Sequence, residues 1–361
     1  MKVGASVIFQ NPHDERPDFD IYREELALGD MIEPLGFDSL WSVEHHFDDY
    51  TMCPDVLQFL AYYAGRTKRV QLGSMVVVLP WHDPIRVAEQ VSVIDHYSNG
   101  RMILGLGRGL ARIEFEGFRV PLDESRERFV EYATMLLEGL ERGWLEFDGK
   151  HIRQPRRDIR PRPFKSFKGR TYAAAVSPES SRIMAKLGIG ILIIPQKPWE
   201  AVARELAEYR SIYASVNNSE PPSTVAAGWV FCDSDSARAR DMAVKYIGGY
   251  WHTALRHYEM TADHFGKAKG YEFYNEVAKS LAKSGADAAT EYFLSLQVWG
   301  TPNQCLDKIV DIRERVRSDH FTGVFSYAGM PHDEAARNMR LFAEEVMPKV
   351  KKLEDFEAAA A

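Results

Sequence analysis

The sequence predicts an α/β chain folded as one (β/α)8 TIM barrel, with a long lid-like insertion before the eighth strand. Three observations predict it. Eight short β-branched apolar runs recur along the chain, amphipathic helical stretches separate them, and 361 residues are enough for one large barrel. Alternating strand and helix implies parallel pairing, and eight repeats imply closure. A doubly wound open sheet is the competing architecture.

Taken in order, Val3–Phe9 is followed by helical Tyr22–Leu35, Ser39–Val43 by Asp55–Ala64, and Val70–Val78 by Ile85–Tyr97. Met102–Leu106 leads to Glu124–Arg142, Tyr172–Val176 to Pro178–Leu187, and Ile191–Ile194 to Glu200–Ala214. Thr224–Phe231 leads to Ser236–His257, and Gly323–Tyr327 to Asn338–Val350. Each helical stretch keeps an apolar period near 3.6 residues. Two stretches break the alternation. Glu146–Phe164 carries Arg153, Arg156, Arg157, Arg160 and Arg162 among Pro155, Pro161 and Pro163. The prolines forbid a continuous helix, so it reads as a solvated basic loop. Tyr258–Gln297 is too long for an ordinary barrel loop and reads as a mobile lid, with a peripheral helical hairpin as the alternative. Residues 1–357 thus form one domain containing the insertion 258–297, and 358–361 form a tail.

Composition narrows the function classes. The chain is 45% hydrophobic and 27% charged, as in a soluble globular protein. No apolar run is long enough to span a membrane, and the first residues read as a strand, not a signal peptide. A formal charge of -7 argues against nucleic acid or an anionic membrane as the partner. Cys53, Cys232 and Cys305 are odd in number and far apart, which fits a reducing, cytoplasmic setting.

In this fold the chemistry sits where strands end. After the second strand comes Glu44-His45-His46-Phe47-Asp48-Asp49. Histidines beside carboxylates invite a metal reading, but neighbours leaving a strand point opposite ways, so no metal is expected. A general acid–base histidine fits better, and a packing histidine is the bland alternative. After the fourth strand, Gly107-Arg108-Gly109 lets backbone approach a ligand and offers one guanidinium for an anion. The glycine spacing is not that of a dinucleotide site. Arg108 could equally be a structural ion-pair residue. After the fifth strand, Ser177-Pro178-Glu179-Ser180 is a helix start, which serves either as a plain cap or as a phosphate site. Arg108 and Ser177 leave adjacent strands, so together they suggest one phosphate gripped from two sides.

These segments resemble the bacterial luciferase-like flavin-dependent monooxygenase family, its luciferase α-chains above all. The stretches are LGFDSLWSVEHHF, LGSMVVVLPWHDPIRVAEQVSVIDHYSNGR, RGL followed by FRV and ESR, VWGTPNQC and MRLFAEEVMPKVKK. They occur in family order over nearly the whole chain. The resemblance implies reduced FMN (FMNH2) as cosubstrate, supplied by a separate NAD(P)H:flavin reductase. It implies O2 and a small apolar substrate, an aldehyde or other carbonyl compound, oxygenated by way of the flavin C4a carbon. Arg108, Ser177 and Ser180 would hold the FMN phosphate, and a non-prolyl cis peptide would join Met75 and Val76. His45 would be the acid–base residue, oriented by Glu44, and Trp251 would line the flavin site. A homodimer or luciferase-like heterodimer is implied as well. Phe9, Phe47, Tyr63, Trp81 and Trp251 are candidates for an apolar pocket. The family's reactive cysteine is replaced by Gly107, an aromatic by Ala111, a carboxylate near the end of strand eight by Ser326, and a tryptophan after strand six by Pro195. These departures leave flavin binding intact and count against light emission. Hydride transfer with the deazaflavin F420, and a non-catalytic flavin-binding partner subunit, are the rival readings. A zinc-type hydrolase is a more distant one.

Overall fold

The computed structural model describes residues 1–175, 177–260, 262, 265 and 271–356, and of 277, 280–282 and 284 the backbone alone. Eight barrel strands run in parallel: Lys2–Val7, Ser39–Ser42, Gln71–Ser74 with its continuation Val77–Val78, Met102–Gly107, Thr171–Ala174, Gly190–Ile193, Val225–Cys232 and His320–Val324. The barrel closes where His320–Val324 pairs with both Lys2–Val7 and Val225–Cys232, in register Lys2↔His320 and Val225↔His320. The expected closed barrel is therefore the observed one. Its interior is packed, with Trp41, Met75, Ile103, Leu192, Val225 and Ala227 in one buried cluster. Trp41 needs room on the neighbouring strand. A Cβ on Gly73 would lie 2.2 Å from the indole ring, so only glycine fits there.

Helices wrap the outside, and one apolar core fills the space between them and the strands. Among the described residues no helix is long and apolar enough to cross a membrane. All three cysteines are buried free thiols.

Several sequence expectations need correction. The third strand is interrupted between Ser74 and Val77, where the Met75–Val76 peptide is cis. The eighth strand starts three residues earlier than Gly323, at His320. An apolar-run reading passes over the polar but buried His320 and Thr322 and includes Phe325, which packs outward on Phe37 and Phe342. Helix Pro302–Val316 is an addition to the expected elements, although Thr301 and Gln304 form a full capping box with proline in the first turn. Helix Arg112–Phe118 and strand Val298–Gly300 are further additions. Ser236–His257 is helical throughout but passes through a π turn at Ala243–Ile247. The final helix starts at His332, not Asn338, and ends at Glu345 before a last turn at Met347–Val350.

The basic loop is in fact an antiparallel hairpin, Trp144–Asp148 with Arg153–Asp158. Its second strand is almost wholly exposed, so it shows no apolar alternation to read. The insertion 258–297 forms helices Glu272–Ser284 and Ala286–Leu296. Lys267, Ala268, Lys269 and Gly270 of the expected lid lie outside the described residues, as do Val176 and the tail 358–361.

Candidate active site

His45 stands in the loop after the second strand, where its backbone N–H donates to the Cys53 carbonyl. Its ring Nδ1 lies 2.9 Å from Oε1 of Glu114. That same oxygen accepts from the His46 backbone N–H at 2.9 Å. Glu114 comes from the short helix Arg112–Phe118 and is buried. Burial pushes its carboxyl upward, but the charges of His45 and His257 and the hydrogen bond of His45 win and hold it at about 2. His257, at the end of helix Gly248–His257, donates from Nδ1 to Asp48 at 2.6 Å. Burial disfavours its charge, yet Asp48 and Glu114 raise it to about 9. Its Nε2 sits 3.6 Å from Glu114, too far for a hydrogen bond. Tyr50 stacks on His257 at 4.4 Å and meets His45 edge-on. The Tyr258 hydroxyl lies 3.4 Å from His45 Nε2.

Glu44 does not orient His45. It accepts from His46 Nε2 at 3.1 Å, His82 Nε2 at 2.7 Å and the Val78 N–H at 2.9 Å. Glu44 and His46 meet on one side of this loop, and His45 turns to Glu114 on the other. Burial would raise the Glu44 carboxyl, but these three donors keep it below the ordinary range. The carboxylate partner of His45 is Glu114, distant in sequence and carried on a helix the sequence did not reveal.

The anion corner lies across adjacent strands. Met102–Gly107 pairs with Thr171–Ala174, so Arg108 and Ser177 follow the ends of adjacent strands. Ser177 caps helix Pro178–Leu187, its hydroxyl accepting from the Ser180 N–H and lying 2.8 Å from the Ser180 hydroxyl. A second basic group joins them. Arg126 reaches Glu179 of the same helix at 2.6 Å. The Arg108 guanidinium lies 4.1 Å above the ring of Tyr271, and the charges of Arg108 and Arg126 both act on the Tyr271 phenol. The Tyr271 hydroxyl bonds Ser125 and the Gly109 carbonyl, so the insertion is fastened onto this corner. Phe265 and Met260 pack there too.

Trp251 is buried beneath the insertion, stacked on Phe293 at 4.7 Å, with its indole N–H unpartnered. Met75 and Val76, joined by the cis bond, pack with the interior cluster. A Cβ on Gly107 would meet Val76 Cγ2 at 2.3 Å, so Val76 fills the space a side chain at 107 would need. Ser326 is hydrogen-bonded to a carboxyl after all, that of Glu25 on the first helix. Burial pushes Glu25 up to about 7. Of the apolar-pocket candidates, Phe9 and Tyr63 are wall residues packed on Phe59. Trp81 stacks on Phe118, and Phe47 packs on Phe118 while staying exposed. A groove of about 1700 Å³ opens at the opposite end, beside Lys2, Thr171, Thr224 and Asp319. In this fold that end serves stability, not chemistry.

A closed parallel barrel that gathers histidines, carboxylates and arginines on its C-terminal rim is a (β/α)8 barrel of the kind that carries its chemistry there. The family follows from comparison: residues 1–319 match the model of the luciferase-like monooxygenases, and the chain belongs to that family, whose members are flavin-dependent oxidoreductases. The alkanal monooxygenase alpha chain of Photorhabdus luminescens is 25% identical over 366 residues, covering 99% of this chain and 99% of that one. Among solved structures, the monooxygenase RslO1 from Streptomyces bottropensis aligns with a TM-score of 0.79 at 26% identity, over 97% of this chain and 99% of that one. The oxygenating constituent of 3,6-diketocamphane monooxygenase from Pseudomonas putida, solved with FMN, aligns at TM-score 0.75 and 17% identity, over 97% and 98% of the two chains.

The residues present fit a flavin phosphate. Arg108, Arg126, Ser177 and Ser180 are all donors, gathered at a helix N-terminus that itself favours a dianion. Glu179 adds a negative charge to the same helix start, and Arg126 already neutralises it. The buried, unpartnered Trp251 N–H leaves a donor available to a polar ring edge.

Proposed function

We propose that the chain is the oxygenating component of a two-component monooxygenase. It takes reduced FMN from a separate NAD(P)H:flavin reductase and uses O2 to oxygenate a small apolar carbonyl compound. The observation that carries this reading is the pairing of two sites on one rim, the His45–Glu114 couple and the Arg108–Arg126–Ser177–Ser180 corner. Bound reduced FMN supplies the electrons that activate O2 for transfer of one oxygen atom.

The chain's residues do the rest. Arg108, Arg126, Ser177 and Ser180 bind the phosphate and so fix the cofactor's position. Ionised Glu114 is an acceptor only, so His45 keeps its proton on Nδ1. Nε2 is then left to take up or release a proton at the reacting centre. Tyr271, Phe265 and Met260 bring the insertion over the rim, where it excludes water.

The test supplies photoreduced FMN, O2 and a panel of long aldehydes and ketones, with oxygenated product read by mass spectrometry. Product that requires O2 and is lost in His45→Ala is expected. Anaerobic turnover with reduced F420, and no oxygenated product with FMN, would overturn the reading in favour of hydride transfer.

A further inference from the structure

We propose that His45, Glu114 and His257 form an inhibitory site for a divalent transition cation of the Zn2+ class. The binding site stands on these side chains alone, and its inhibitory effect rests on the proton role proposed for His45. Two imidazoles and a carboxylate are a donor set suited to that cation. Their ligand atoms, Nδ1, Oε1 and Nε2, all lie within 4.8 Å of one another. Two of the separations are 2.9 Å and 3.6 Å. Metal bonds of about 2.0–2.2 Å place tetrahedral ligands about 3.3–3.5 Å apart, so small side-chain adjustments complete the site.

Two further features point to a ligand. His257 Nε2 is buried and has no hydrogen-bond partner, although it faces Glu114. Its other nitrogen donates to Asp48, the carboxylate–histidine arrangement that orients and strengthens a metal-bound imidazole. The three ligands come from the loop after the second strand, the helix after the fourth and the helix after the seventh. The sequence alone argues against a metal, because His45 and His46 diverge. The fold leaves His46 on Glu44 and brings His257 to His45 in its place. Three protein ligands leave a fourth position open. A cation here displaces the proton on Nε2 of His257 to water and that on Nδ1 of His45 to its own Nε2, and so blocks the proton handling assigned to the His45–Glu114 pair.

The experiment titrates the whole chain with Zn2+ against a chromophoric chelator, and separately records visible absorption with Co2+. One equivalent of tightly held Zn2+ is expected, together with Co2+ bands of a four-coordinate site. His257→Asn should weaken Zn2+ binding by about a hundredfold, and Asp48→Asn by about tenfold, the range seen when an outer carboxylate is lost. Thermal melts of the variants establish that they fold, and the Co2+ spectrum of the unaltered chain gives an answer without any variant. Absence of stoichiometric Zn2+ would overturn the proposal, as would His257→Asn binding as tightly as the unaltered chain. Neither readout depends on turnover, so failure of the monooxygenase reading leaves this test intact.

Discussion

Glu25→Gln is expected to stabilise the fold at pH 8 and to change little near pH 4.5. Burial raises the Glu25 carboxyl from 4.5 to about 7 in the folded chain. Between those values the native state binds a proton that the unfolded chain has released. The free energy of unfolding therefore falls as pH rises through this window, and levels off above it. At about 1.4 kcal/mol per pH unit, the loss reaches about 3 kcal/mol by pH 8. Glutamine has the shape of the protonated acid and never ionises. Its oxygen can accept from the Phe9 N–H, and the Ser326 hydroxyl can turn to accept from its amide. With an unfolding entropy of about 2 cal/mol/K per residue, 3 kcal/mol over a chain of this length is about 4 °C in Tm. Calorimetric melts of both proteins from pH 4.5 to 8 check this, because every other titrating group cancels in the difference. Parallel Tm curves, or a variant less stable at pH 8, would refute the assignment of Glu25 as a buried, proton-holding acid.

Three other changes bear on the rim. Arg126→Ala should raise the Kd for reduced FMN by about tenfold to a hundredfold, the worth of one charged hydrogen bond, as read by anaerobic titration. Glu114→Gln should lower kcat by about a hundredfold with little change in KM for flavin, because His45 loses the acceptor that fixes its proton; steady-state kinetics decide it. Gly107→Cys should cost about 1–3 kcal/mol by overpacking against Val76, and Val76→Ala in the same chain should recover most of it, measured by urea unfolding.

The barrel is legible because its strands are short β-branched runs and their period changes at each helix. The lost pieces have separate physical causes. The second strand of the hairpin, Arg153–Asp158, is exposed on all but one residue, so no burial imprints a pattern on it. His320 and Thr322 are polar side chains inside the barrel, which hydropathy alone assigns elsewhere. Helix Pro302–Val316 does carry its signal, in Thr301 and Gln304.

The site is legible by position more than by partnership. His45, Arg108, Ser177 and Ser180 lie just past strand ends, where barrel chemistry is expected. Glu114, Arg126 and His257 each reach the rim from a helix, and spacing along the chain does not tell which helix end meets which loop. Glu44 shows the same limit from the other side. It is adjacent to His45 in sequence, yet its carboxylate belongs to His46 and His82.

Val76 and Gly107 occupy one volume from two neighbouring strands, with no space for a second side chain. Neither position is therefore free to drift alone. Related chains should exchange bulk between the two, a small residue at 76 accompanying a larger one at 107. Across many such chains the pair should vary as a single inherited character. A side chain at 107 would then mark a barrel whose third strand carries a smaller residue.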